Sequence, residues 1–174
     1  MKKLIFIFIS TIFCFANSCN VEYDVIYTIA KVEGHPKRNV GYPFIISFNN
    51  KLDIHAMEKI SQVDYEKLDS RSIDCKNKKM CIKILKHLID NGIKNLDLGA
   101  FQFNYRFIKF KDLSQYFDLK YTYYKTCKIL MDLEKKYGWS MQTLAKYHSY
   151  TDTHNQKYQK IITEKYKEIY AKNQ

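Results

Sequence analysis

Asp97-Leu98-Gly99-Ala100-Phe101-Gln102-Phe103-Asn104 says more about the architecture of this chain than any other segment. It sets a glutamine inside an apolar run and closes on an asparagine, a residue suited to pinning a turn through its own side chain. A polar group amid apolar neighbours is commonly a satisfied core residue, so the segment alone is ambiguous. Two further pieces flank it in chain order: Ile29-Ala30-Lys31-Val32-Glu33 before it and Ala145-Lys146-Tyr147-His148-Ser149 after it.

Working outward, Val25, Ile26, Ile29, Ala30 and Val32 recur at helical spacing. They predict a helix from Glu22 to Glu33 that Gly34 and Pro36 stop, with Glu33 in its last turn. Tyr42-Pro43-Phe44-Ile45-Ile46-Ser47-Phe48 reads as a short strand, and Asp53 to Ile60 as a short helix. The polar stretch from there to Asp74 has no clear period and reads as an insertion. Met80, Cys81, Ile84, Leu85, Leu88 and Ile89 form one apolar stripe of an amphipathic helix closed by Asn91-Gly92. A second long helix runs from Leu119 to Tyr137 and ends at Gly138, and Ser140 caps a third. Tyr158, Ile161, Ile162, Lys165 and Ile169 mark a terminal amphipathic helix over 152–174. With two prolines and no repeat, the chain is expected to form one mainly α domain with a minor β element.

Met1-Lys2-Lys3, the apolar run Leu4 to Ala16 and the small residues Ala16 and Ser18 read as a secretory signal peptide over 1–18, leaving 19–174 as the domain. The run is shorter than the roughly 20 residues of a membrane span. A mature chain starting at Cys19 raises the alternative of a lipid anchor through that residue, although the usual leucine three positions earlier is missing. The 174-residue chain carries a formal charge of +11, and the leader holds only Lys2 and Lys3 of it. Export directs this charge to envelope anions and away from nucleic acid; the plain alternative is a solvated surface. Cys19, Cys75, Cys81 and Cys127 remain, an even set that suggests disulfides in an oxidising compartment. Three pairings are open; Cys75 with Cys81 across their polar loop, leaving Cys19 for Cys127, is preferred. No paired cysteines have zinc spacing, and His35, His55, His87 and His154 show no metal-ligand pattern, so no metal or cofactor is expected.

Taken together, the three pieces resemble the soluble lytic transglycosylase family, especially its small members associated with secretion and conjugation machines, over about residues 22 to 150. Members carry a helix-terminal Glu followed by Ser, then Gly-Leu-Met-Gln-Ile-Asn after an Asp-Leu or Asp-Val step, then Ala-Tyr-Asn. Glu33, Gly99 to Asn104 and Ala145 to His148 match these. Gly34 replaces Ser, Ala100, Phe101 and Phe103 replace Leu, Met and Ile, and His148 replaces Asn. The spacing from Glu33 to Gly99 is also longer than in compact members.

The resemblance implies a lysozyme-like single domain in which Glu33 is the one catalytic acid and base. Cleavage needs a proton delivered to the departing oxygen. The negative end of the helix and an aromatic surround both disfavour a carboxylate there. A 2-acetamido group on the substrate then replaces the second carboxylate of most glycosidases. Glu33 would protonate the leaving GlcNAc oxygen and then activate the C6 hydroxyl of MurNAc, giving a 1,6-anhydro sugar. Tyr147 would orient Glu33, Gln102 would hold the N-acetyl group and Phe101 would wall the site. Asn104 and His148 are further candidates for sugar contact, with turn-pinning the stronger expectation for Asn104. A monomer acting on glycan strands beside an envelope-spanning apparatus is expected. The alternatives are a non-catalytic wall-binding scaffold and a muramidase that uses water.

Overall fold

The computed structural model describes residues 19–172; the expected leader lies outside them. The described residues form five α-helices: α1 (Tyr23–Glu33), α2 (Lys78–Asp90), α3 (Leu119–Tyr137), α4 (Met141–Ala145) and α5 (Asp152–Lys172). The starts of α2, α3 and α4 follow from side-chain caps. Asn77 accepts the Met80 N–H, Asp118 that of Tyr121 and Ser140 that of Thr143. Gly92 (φ +80°) and Gly138 (φ +74°) take the left-handed backbone just beyond α2 and α3. The buried face of α2 is Cys81, Ile84, Leu85 and Leu88, the stripe that the periodicity picks out.

Five short antiparallel strands form one sheet in the order β2-β3-β1-β4-β5: β1 (Ile45–Phe48), β2 (Glu66–Lys67), β3 (Ser72–Asp74), β4 (Leu96–Leu98) and β5 (Phe103–Asn104). In register, Ile46 lies opposite both Ile73 and Leu98. All four residues of β1 are buried, which suits the three apolar ones, and the hydroxyl of the fourth, Ser47, is paired with that of Ser72 at 3.1 Å. The chain is thus mainly α as expected, but its β element is a five-stranded sheet rather than a single strand. The stretch read as an insertion supplies its β2–β3 edge. The short helix expected over Asp53 to Ile60 is a 3-10 helix, Lys51–Lys59, whose first turn Asn50 caps. The terminal helix is no appendage. α5 packs against α1 and α4, and Tyr158 and Ile162 enter the common core.

Disulfides join Cys19 to Cys127 and Cys75 to Cys81. The first ties the start of the described chain to the middle of α3. Its sulfur is therefore not available for the thioether of a lipid anchor, which corrects that alternative for the disulfide-bonded form. The loop after Glu33 is fastened to the β2–β3 hairpin by charge. Arg38 Nε donates to Asp74 Oδ2 at 2.7 Å and its NH2 group to Glu66, while the Tyr42 hydroxyl reaches Asp74 Oδ1 at 3.0 Å.

One backbone contact sets the height of the β4–β5 hairpin. Gly99 has φ +77°, and a Cβ placed there would lie 2.1 Å from the Tyr116 carbonyl oxygen. At Gly138 the backbone is equally left-handed, but nothing lies within 4 Å. A left-handed backbone costs a non-glycine residue about 1–2 kcal/mol. Gly99→Ala should therefore destabilise the fold by at least about 2 kcal/mol more than Gly138→Ala, because a backbone clash adds to the same strain. Thermal unfolding of the two variants measures this; equal melting temperatures would show that the hairpin yields freely.

Candidate active site

Glu33 is the last residue of α1, and Gly34 ends the helix by donating its N–H to the Ala30 carbonyl. The Glu33 side chain is 11% exposed. Its Oε1 is buried and has no hydrogen-bond partner. His148 Nδ1 stands 3.6 Å from that oxygen, a charge contact just beyond hydrogen-bond length. The imidazole is held flat against the Tyr158 ring, with centroids 4.5 Å apart and planes 2° from parallel. Tyr158 comes from α5, is buried, and has a hydroxyl with no partner beside Glu33.

The neighbours register the charge of this carboxyl. Glu33 raises the His148 pKa above the ordinary imidazole value, against the desolvation that lowers it. Burial first, and then the Glu33 charge, push the phenols of Tyr147 and Tyr158 well above their usual range. Asp97, on β4, is raised chiefly by desolvation; amide donors from Asn49 (2.8 Å) and Asn104 (2.7 Å) oppose this, while Glu33 adds to it. Among the described residues, no group of three or more His, Cys, Asp or Glu side chains is placed to hold a metal ion.

Glu33, Tyr147 and His148 come together as the sequence suggests, though with altered roles. The Tyr147 hydroxyl was expected to donate to Glu33. It donates instead to the Phe101 carbonyl at 2.9 Å, and a phenol has only one proton to give. Tyr147 thus ties the β4–β5 hairpin to the end of α4. Asn104 is engaged at both ends: its amide group donates to Asp97 and Asn95, and its oxygen accepts the Arg106 N–H. It pins the hairpin, the stronger of the two roles expected for it. Gln102 has a left-handed backbone (φ +46°) and donates one amide proton to the Gly99 carbonyl at 2.8 Å. Phe101 is buried and walls a cavity between α1 and α3 whose lining includes Ala30 but not Glu33.

Tyr158 and Asp97 are the site residues that sequence reasoning missed. Tyr158 sits four residues before Ile162 in an amphipathic stripe, where a tyrosine passes for a seam residue. Its unpartnered hydroxyl is a tertiary fact. Asp97 precedes the motif glycine and gives no local sign of facing α1. Comparison of the chain with protein-family models, curated proteins and solved structures finds no match.

His148 should titrate above the ordinary imidazole value of about 6.5, and Glu33→Gln should bring its midpoint down. Because the folded value is raised, stabilisation by the pair is full below the unfolded value and fades as pH rises through the folded one. The stability gap between wild type and Glu33→Gln should accordingly narrow above neutral pH. NMR titration of the imidazole with parallel denaturant melts checks both; an unchanged midpoint in Glu33→Gln would remove the pairing.

Proposed function

We propose that this chain is an exported peptidoglycan lytic transglycosylase of lysozyme-like fold, working in the periplasm or cell envelope, with Glu33 as its acid and base. The observation that carries the reading is a nearly buried carboxyl at the end of α1 with an unpartnered oxygen, beside the stacked His148 and Tyr158. A buried oxygen without a partner is costly unless a ligand supplies the missing group, and such exceptions concentrate at working sites.

In the first step Glu33 gives its proton to the GlcNAc oxygen as the bond to MurNAc C1 breaks, and the 2-acetamido oxygen of MurNAc closes on C1. In the second the Glu33 carboxylate takes the C6 hydroxyl proton, O6 attacks C1, and the acetamido oxygen departs. The acid is restored, and the product is 1,6-anhydroMurNAc. The Tyr158 hydroxyl and the His148 imidazole are the groups that steady the carboxyl between steps. Gln102 keeps one amide proton and its carbonyl for a sugar substituent. The basic surface suits a wall carrying peptide carboxylates, and an envelope-spanning machine is the natural user.

Asp97 favours a second reading. A desolvated carboxyl within electrostatic reach of Glu33 is the kind of group that activates water in two-carboxylate glycosidases. Such an enzyme would be a muramidase leaving reducing MurNAc ends.

Digestion of purified sacculi with mass analysis of the products tests both. We expect anhydro-muropeptides from the wild type, at least about a hundredfold slower release by Glu33→Gln, and most activity kept by Asp97→Asn. Reducing ends lost in Asp97→Asn would establish the muramidase. Folded wild type that binds sacculi and releases nothing would leave a wall-binding scaffold in place of an enzyme.

A further inference from the structure

A cavity of about 500 Å³ lies between α1 and the start of α3. Its aromatic walls are Tyr23, Tyr27, Phe101, Tyr123 and Tyr124, and Lys120 is the one charged residue in its lining. Tyr23 and Tyr27 have ring centroids 5.8 Å apart, and the rings of Tyr123 and Tyr124 meet nearly edge to face at 5.6 Å. Tyr23 is 65% exposed and Tyr124 38%, so the cavity opens to solvent between two accessible rings. None of the four phenol hydroxyls makes a hydrogen bond among the described residues, and Lys120 makes no ion pair there.

The chemistry of this lining narrows the ligand. An apolar chain would be served by the ring faces alone and would leave the hydroxyls idle. A pyranose has both parts: apolar C–H faces that cover rings, and an edge of hydroxyls that exchange hydrogen bonds with phenols. Lys120, free of any carboxylate of its own, complements an acid on the ligand. The volume lies within the range of small-ligand sites. Position adds direction, because Tyr23, Ile26, Ala30 and Glu33 succeed one another at three- and four-residue steps on α1. The α1 wall of the cavity therefore leads to the carboxyl, and Phe101 joins the cavity to the hairpin that Tyr147 ties to the Glu33 site.

We infer that the cavity between α1 and α3 binds a saccharide bearing a carboxylate, in a tyrosine-walled subsite alongside the Glu33 centre. That the occupant is a flanking part of the strand being cut rests on the function proposed above; the saccharide site itself does not.

Binding is tested on the whole mature protein with labelled tyrosines, using a soluble disaccharide-peptide from peptidoglycan, neutral chitotetraose, and vesicles of phosphatidylglycerol as probes. The two saccharides should shift the ring signals of Tyr23, Tyr27, Tyr123 and Tyr124. Tyr23→Ala with Tyr124→Ala, both at exposed positions, should weaken both saccharides about tenfold. Lys120→Gln should weaken the disaccharide-peptide alone. The inference is overturned if saccharides move only signals around Glu33 and Tyr158, if the double variant binds as tightly as wild type, or if the vesicles alone move the four rings. Saccharide seated on these rings in a protein that leaves sacculi uncut would uphold the subsite and dismiss the enzyme.

Discussion

The passage of Gly99 across the Tyr116 carbonyl is the constraint on which the site depends. No side chain fits between those backbones, so the β4–β5 hairpin is held against the segment that leads into α3. From that height the rest follows in sequence. Asn104 locks Asp97 across the hairpin, the Phe101 carbonyl receives the Tyr147 hydroxyl, and the turn carrying Tyr147 sets His148 against Glu33. A chain of single contacts thus connects a backbone approach in the sheet to the geometry around one carboxyl on a helix. Each link is short and directional, which is what positioning a reacting group requires.

Two buried acids show opposite treatment. Asp74 is 1% exposed, and its oxygens accept from Arg38, from Tyr42 and from the Lys76 backbone. Its charge is compensated, and removing Arg38 would leave it unpaired at a cost of about 3–5 kcal/mol. Glu33 is somewhat less enclosed, its side chain 11% exposed, yet the buried Oε1 has no hydrogen-bond partner and the His148 imidazole stands off at 3.6 Å. The first acid fastens the loop that follows α1 to the sheet. The second is left with an unmet hydrogen-bond acceptor beside an imidazole and a phenol. A fold that saturates one buried carboxyl and leaves another open differs between them in a way that packing does not require.

Helices α2 and α3 were legible because each combines a 3.6-residue stripe with a cap or a glycine stop, over Met80 to Gly92 and Leu119 to Gly138. The sheet was poorly legible because β2, β3, β4 and β5 are two or three residues long, too short for alternation to declare itself. β1 showed through as a run of aromatic and β-branched residues, although Pro43 lacks an N–H and the strand starts only at Ile45. The gathering of Glu33, Tyr147 and His148 was foreseeable from motif order. The partner of the Tyr147 hydroxyl was not, because several acceptors compete for one proton and their distances depend on the whole fold. The same holds for Tyr158, whose helix contributes to the site only through packing on α1 and α4.

Gly34 and His148, two of the five positions at which the sequence departs from the motif pattern read in it, are explained by the same local geometry. Gly34 has an ordinary extended backbone (φ −67°, ψ 152°), so conformation does not demand glycine there. Space does: a Cβ at this position would sit 2.7 Å from the Ala30 carbonyl oxygen. The residue after the acid therefore cannot offer a hydroxyl to the site without shifting the end of α1. The polar group that faces Glu33 comes instead from position 148, where an imidazole both reaches the carboxyl and presents a flat face for Tyr158 to hold. An asparagine in that place would offer an amide but no ring to stack. The loss at one position and the gain at the other amount to one change in how the carboxyl is attended.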